Sequence, residues 1–135
     1  MKFFVDTNIF LDIIQDRKHA SEGVDFINTC ILHKYKIYVS WHTLSNIFYI
    51  LEKGINSEIA NTSIKDILHF ATVATVGHEE AKRVLDLDLS DFEDALQIVS
   101  AQAVHADYIV TRNKKHFVDS PVTVIAPEEL VLKVE

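Results

Sequence analysis

The stretch FFVDTNIFLD, residues 3–12, decides the fold prediction because it joins a short apolar run to a cluster of polar side chains. The segment KFFV, residues 2–5, is short, continuous and apolar, which is typical of a buried strand in a parallel sheet. Asp6, Thr7 and Asn8 follow directly, and the chain then turns apolar again at helical spacing. A buried strand that ends in an acid, a hydroxyl and an amide indicates either helix capping or a functional site.

Three further strands are predicted along the chain: KIYVS (36–40), DYIVT (107–111) and VTVIA (122–126). Apolar residues at helical spacing separate them, so strands and helices alternate. This alternation predicts an α/β fold, a three-layer α/β/α sandwich around a central parallel sheet of four to five strands. Residues 55–89 show helical patterns without a convincing strand, which predicts a helical arm or cover. The β-branched run TVATV (72–76) leaves a very short strand open.

Two helices carry apolar faces that can be read from their spacing. Val24, Ile27, Ile31 and Leu32 recur at helical spacing in the second predicted helix. The helix after Ser40 concentrates bulky side chains, namely Trp41, Leu44, Ile47, Phe48, Tyr49, Ile50 and Leu51. These bulky residues predict either a core helix or a helix with an exposed contact for a partner.

Composition narrows the class of protein. The chain has 135 residues, which predicts a single domain over residues 1–135, and 48% are hydrophobic, enough for a core. One cysteine allows no internal disulfide, and no apolar stretch is long enough to span a bilayer, so a cytoplasmic protein is expected. The net charge of -7 argues against a basic nucleic-acid surface, although carboxylates that hold metal cations would give the same sign.

Candidate site residues follow the strands. The carboxyl ends of parallel strands share one edge of a sheet, and ligands bind there in open α/β folds. Asp6 ends the first strand, while Thr111 and Asn113 follow the strand DYIVT. Asp94 lies just before the apolar run ALQIV in the segment LSDFEDAL (89–96). We therefore expect these four side chains to converge.

Helix capping offers a competing explanation for several of these residues. Asn8 is a plausible N-cap, and Thr7 a turn former. Ser90 and Glu93 fit a capping box, which would make Asp91 the first helical residue and place it in a turn that favours acids.

Crowded carboxylates raise one another's pKa unless a cation neutralises them. Mg²⁺ or Mn²⁺ prefers oxygen ligands and keeps several waters when few carboxylates hold it. Such a cation can activate water and stabilise charge on a phosphodiester. Two carboxylates such as Asp6 and Asp94 can hold one such ion weakly but hardly suffice for two, so one ion is expected.

Several segments, in this order, resemble the motifs of the PIN domain, a family of Mg²⁺/Mn²⁺-dependent nucleases that includes the VapC-type toxins of toxin–antitoxin pairs. They are VDTNIFLD (5–12), VSWHTLSNIFYIL (39–51), DFEDALQ (91–97), ADYIVTRNKKHF (106–117) and SPVTVIAPEEL (120–130). The resemblance covers nearly the whole chain. It implies a three-layer α/β/α sandwich, a site of acidic residues, RNA as substrate, an antitoxin partner and a homodimer.

The chain departs from the family pattern at two positions that usually carry an acid, where it has Asn46 and His116. Asn46 can ligate through its carbonyl oxygen, and His116 is either a general base near neutral pH or a surface histidine. The acids that could replace a missing ligand are Asp12, Asp91 and Glu93.

The resemblance leads to a first hypothesis, a metal-dependent endoribonuclease that acts as the toxin of a toxin–antitoxin pair. Its catalytic set would be Asp6, Asp94, Asn113, Thr111, Asn46 and His116, with the metal on Asp6, Asp94 and Asp91. Its substrate-binding residues would be Asn8, Arg112 and Lys114. The second hypothesis is a degenerate PIN domain that binds RNA or a protein partner without cleavage. A third, an unrelated α/β phosphoacceptor or phosphatase, lacks the second acid that such sites carry beside the first.

Overall fold

The computed structural model describes residues 1–87 and 91–134. Its strands are β1 (Lys2–Val5), β2 (Lys36–Val39), β3 (Ala71–Val73), β4 (Tyr108–Val110) and β5 (Thr123–Ile125). Its helices are α1 (Thr7–Ile14), α2 (Ala20–Leu32), α3 (Trp41–Gly54), α4 (Ser57–Phe70), α5 (His78–Asp86), α6 (Phe92–Ala103) and α7 (Pro127–Val134), and a 3-10 turn covers Lys114–Phe117. In these two ranges, no helix combines the length and apolar character needed to cross a bilayer.

The five strands form one parallel sheet in the order β3-β2-β1-β4-β5. β1 lies in the centre, where Phe3 is in register with Ile37 on one side and with Tyr108 on the other. The chain winds outward from β1 to β2 and β3, then returns to β4 on the opposite side of β1. This reversal of strand order opens a crevice beyond the carboxyl ends of β1 and β4, where ligands bind in such sheets.

Helices cover both faces of the sheet, which confirms the three-layer sandwich. Successive strand residues point to opposite faces, so Phe3 and Val5 join one core and Phe4 joins the other. The larger core packs the sheet against α1, α2, α3 and α4, and includes Leu130 of α7. The smaller core packs the other face against α6 through Ile98 and Ala101.

The strand Ala71–Val73 corrects the expectation that residues 55–89 hold only helices. It pairs with β2, and the amide of Ala74 donates to the carbonyl of Val39 at 2.7 Å. The strand follows Phe70, the last residue of α4, without a linker. Three residues directly after a helix are too few to show the alternation of apolar and polar residues that is typical of a strand. The sequence pattern therefore left this strand open. The sheet therefore has five strands.

The buried face of α2 also differs from the prediction. Phe26, Ile27 and Cys30 are buried, whereas Ile31 and Leu32 are exposed. The ring of Phe26 meets the ring of Phe3 edge to face at 5.4 Å, which fixes the side of the helix that faces the sheet. The last turn of α2 therefore presents apolar side chains to solvent.

Candidate active site at the carboxyl edge of the sheet

Asp6 stands at the centre of this edge. Its amide still pairs with β4, donating to the carbonyl of Val110 at 3.0 Å, and its side chain is only 8% exposed. The carboxylate accepts from the amide of Thr7 at 2.9 Å and is the N-cap of α1. This corrects the prediction that Asn8 is the cap, because α1 begins one residue earlier and Asn8 is its second residue. Capping and a functional position coincide in Asp6.

Two side chains from distant segments also donate to this carboxylate. The Thr111 hydroxyl donates to Oδ2 at 2.9 Å, and Gln97 Nε2 lies 3.4 Å from Oδ1. A carboxylate accepts at about four lone-pair positions, so these donors and the Thr7 amide leave one position, on Oδ2. Burial raises the pKa of Asp6 above its ordinary value and outweighs the lowering effect of the hydrogen bonds from Thr111, Gln97 and Thr7.

Asp94 lies in the first turn of α6, partly buried beside this carboxylate. Burial raises its pKa, and the charges of Asp91, Asp6 and Glu93 raise it further, while His116 lowers it. Two carboxylates with raised pKa values at one edge are a site where positive charge would be stabilised. Gln97, which contacts Asp6, lies three residues after Asp94 on α6, so Asp6 and Asp94 lie at the same edge of the sheet.

Asp91 has a structural role that differs from the prediction. Its Oδ1 accepts from the amides of Glu93 at 2.8 Å and Asp94 at 3.2 Å, so Asp91 is the N-cap and α6 begins at Phe92. Ser90, the predicted capping residue, lies outside the described residues. Oδ1 of Asp91 is therefore occupied by these two amides. The negative charge of the Asp91 carboxylate still raises the pKa of Asp94.

The loop after β4 brings Asn113 and His116 to the same edge. The amide of Asn113 donates to the Thr111 hydroxyl at 3.0 Å, and its carbonyl accepts from the amide of His116 at 2.9 Å. His116 Nδ1 lies 3.8 Å from Asp94 Oδ2. The imidazole therefore stands beside a candidate ligand, at the position where a third acid was expected.

Asn46 faces the edge from α3. Its Nδ2 lies 3.0 Å from Nε2 of His42, and this His42 nitrogen lies 3.5 Å from Glu93 Oε2. The pair His42–Asn46 thus closes one side of the crevice against the start of α6. The substitution of the usual acid by Asn46 places a neutral amide and an imidazole there.

Other predicted residues are engaged elsewhere. Arg112 forms an ion pair with Glu128 at 2.7 Å, and Lys114 pairs with Glu129, so both basic side chains are drawn to α7. Asp12, considered as a replacement ligand, lies 3.6 Å from Arg17 near the end of α1. These contacts do not bring the three side chains to Asp6 or Asp94.

A buried polar network beneath the edge escaped the sequence analysis. Thr43 Oγ1 lies 2.8 Å from Thr7 Oγ1, 3.1 Å from Ser40 Oγ and 3.3 Å from Gln97 Nε2. The only signals in the sequence were Gln97 inside the apolar run ALQIV and Thr43 three residues after Ser40. Neither polar position is unusual for a helix, so the network emerges only from packing.

Asp6 and Asp94 are the two carboxylates that would hold a divalent cation at this edge. Among residues 1–87 and 91–134, no three His, Cys, Asp or Glu side chains form a group that could hold a metal. The chain therefore offers a pair of carboxylates, and water must complete the coordination, as Mg²⁺ tolerates. On the amide that contacts Asp6, Gln97 Oε1 is buried and has no hydrogen-bond partner among residues 1–87 and 91–134.

The structure resembles solved chains of two VapBC complexes and of one VapC toxin. VapBC2 of Rickettsia felis, solved bound to a promoter DNA fragment, matches with a TM-score of 0.74 and 21% identity over 93% of this chain and 98% of that one. VapBC-1 of nontypeable Haemophilus influenzae matches with a TM-score of 0.73 and 14% identity, over 95% of this chain and 99% of that one. VapC20 of Mycobacterium tuberculosis, a sarcin-ricin loop cleaving toxin, matches with a TM-score of 0.62 and 15% identity, over 79% of this chain and 86% of that one. At these identities the likeness concerns the fold.

The sequence comparison supplies the family. No curated protein matches the chain. The family model described as PIN domain matches residues 2–115, which include β1, β4, Asp6, Asp94, Thr111 and Asn113 and end one residue before His116. The chain therefore belongs to the PIN-domain family.

Proposed function

We propose that this protein is a metal-dependent endoribonuclease that hydrolyses RNA phosphodiesters and acts as the toxin of a toxin–antitoxin pair. One observation carries the proposal: the buried carboxylate of Asp6 is held at the reversal of strand order by Thr111 and by Gln97 of α6, the helix that also carries Asp94. Membership in the PIN family and the likeness to VapC structures support it. RNA enters the proposal because VapC20 is a sarcin-ricin loop cleaving toxin and because the PIN family is one of nucleases.

Asp6 and Asp94 would hold a single Mg²⁺ or Mn²⁺. When bound there, the cation supplies Lewis-acid chemistry that offsets charge on a phosphodiester and makes water a better nucleophile. Thr111 orients Asp6 through its hydroxyl, and Asn113 holds that hydroxyl through its amide. His116 stands beside Asp94, with Nδ1 3.8 Å from Asp94 Oδ2, in the place where a general base would act on water.

A second candidate function is binding of RNA or a protein partner without cleavage. The observation that favours it is the engagement of Asn46 with His42 at a position where the family usually supplies a carboxylate. His116 replaces a second acid in the same way. With fewer carboxylates, a cation would be held weakly. A PIN domain that has lost cleavage would still have the surface that binds RNA or a protein partner.

The proposed partners are RNA, an antitoxin and a second copy of this chain. VapB–VapC complexes among the similar structures support the antitoxin. The helix α3 exposes Trp41 and Tyr49, at 68% and 61%, so part of its aromatic surface lies outside the core. We propose that this surface contributes to protein contacts in the assembled toxin.

Calorimetric titration of Mn²⁺ tests the metal site before any RNA is chosen. The wild type, Asp94→Asn and Asp66→Asn are compared. Asp66 is an exposed carboxylate on α4, which leads into the amino end of β3, so it is a control at the opposite edge. We expect the wild type and Asp66→Asn to bind Mn²⁺ alike and Asp94→Asn to lose binding. If the wild type binds no Mn²⁺ at millimolar concentration, the nuclease proposal fails.

Cleavage then separates the two candidate functions. Incubation of the wild type with a mixture of cellular RNAs should give discrete products in Mn²⁺ and none in EDTA. A protein that retains RNA in EDTA but produces no cleavage in Mn²⁺ would be the binding form.

A further inference from the structure

Gln97 is a polar residue in the interior of the protein. It lies on α6, three residues after Asp94 and therefore on the same side of the helix, and it is 1% exposed. Burying an amide without hydrogen bonds costs free energy, and its neighbours Ile98 and Val99 are apolar and buried. An apolar side chain at this position would suit the core better, so the amide calls for an explanation.

The hydrogen bonds of Gln97 lead to Asp6. Nε2 lies 3.4 Å from Asp6 Oδ1 and 3.3 Å from Thr43 Oγ1. An ionised carboxylate only accepts, so the nitrogen of the amide is the atom that must face Asp6. Thr111 donates to the other oxygen of the same carboxylate. The two side chains therefore hold Asp6 from both oxygens.

Gln97 also links α6 to the first turns of α3 and α1. Thr43 belongs to the first turn of α3, and its hydroxyl contacts that of Thr7, the first residue of α1. Gln97 sits on α6, close to Asp94. The side-chain amide of Gln97 thus links the carboxylate of Asp6, at the end of β1, to α6, the helix that carries Asp94.

We propose that Gln97 is a positioning residue for Asp6, which fixes the carboxylate relative to Asp94 and thereby sets the affinity for the divalent cation. The inference rests on the proposed function and deepens it. Polar groups that orient a metal-ligating carboxylate typically account for about 10- to 100-fold in metal affinity.

The test compares Gln97→Met with Ser100→Ala. Methionine keeps the length of the side chain and removes both polar atoms. Ser100 is the matched control because it lies on the same helix, is fully buried, and has a hydroxyl without a hydrogen-bond partner among the described residues. Calorimetry should show Mn²⁺ affinity lowered about 10-fold or more in Gln97→Met and unchanged in Ser100→Ala. Urea unfolding in EDTA should show that Gln97→Met is folded, and Gln97→Leu serves as a second variant.

A metal-free readout separates the inference from the proposed function. In EDTA at fixed pH, the carboxyl ¹³C resonance of Asp6 should move in Gln97→Met and stay in place in Ser100→Ala. Equal Mn²⁺ affinity of wild type and Gln97→Met overturns the inference while leaving the nuclease proposal intact. Absence of Mn²⁺ binding by the wild type overturns both, and a moved Asp6 resonance would then show a contact without consequence for a metal.

Discussion

Thr111→Val should destabilise the metal-free protein by removing one donor from a buried carboxylate. The side chain is fully buried, and valine replaces the hydroxyl with a methyl group of similar size, so no cavity is created. A hydrogen bond to a charged group contributes about 1.5–3 kcal/mol, and the bond here is 2.9 Å long. The amide of Asn113 also loses its acceptor, which adds about 0.5–1 kcal/mol at this partly exposed position. The expected loss is about 2–4 kcal/mol.

The loss should depend on pH. The Thr111 hydrogen bond lowers the pKa of Asp6 against the larger raising effect of burial, so its removal raises this pKa further. Above the pKa of Asp6 the carboxylate is charged and the full loss is present. As pH falls through that raised value, the carboxyl becomes protonated in the variant first and then in the wild type. The difference should then shrink toward that of a neutral hydrogen bond, about 1 kcal/mol.

Urea unfolding in EDTA, from about pH 8 downward, measures this difference. Thr72→Val is the matched control because Thr72 is an exposed strand residue of β3, and its free energy of unfolding should stay within about 0.5 kcal/mol of the wild type. A Thr111→Val protein that unfolds at the wild-type urea midpoint would refute the reasoning. A loss that is the same at every pH would show that the hydroxyl does not act on an ionised Asp6.

Three further outcomes are expected in the metal-free protein. Asp94→Asn should raise the melting temperature at neutral pH, because an acid with a raised pKa opposes folding when ionised, and the gain should vanish as pH falls through that pKa. Gly23→Ala should stabilise by about 0.5 kcal/mol in urea unfolding, because alanine favours the helix and the Ile13 atoms 3.1 Å from the new Cβ border an apolar hollow into which they can shift. Lys34→Gly should stabilise by about 0.5–1 kcal/mol, because Lys34 follows α2 with a φ of 58° that glycine adopts without strain. A lowered urea midpoint in either variant would contradict these last two predictions.

The sequence predicted four of the five strands because each is a compact apolar run between helices. Asp6 and Thr111 could be placed at one edge for the same reason: each directly follows such a run, and parallel strands align their carboxyl ends. β3 could not be predicted firmly, because three residues attached to the end of α4 show no period. The exposed end of α2 was missed because spacing shows that a face is apolar but not how far the partner surface extends.

The parts of the site that escaped prediction depend on packing between distant segments. Gln97 and Thr43 are ordinary helix residues until α6 and α3 are brought to the same carboxylate. Arg112 and Lys114 were assigned to RNA because they follow Thr111, but their charges meet Glu128 and Glu129 of α7. The residue spacing within each segment gives no sign of an ion pair with another segment, so these two contacts could not be predicted.

The central position of β1 has a consequence for synthesis. β1 is made first, yet Asp6 receives its hydroxyl donor from Thr111, a partner 105 residues further along the chain. A ribosome-bound chain that has not yet released β4 therefore has one side of β1 unpaired and its carboxylate only partly held. Contacts of such long sequence separation form late in folding. For a protein proposed to be toxic, the order of synthesis delays the competent site until most of the chain has emerged.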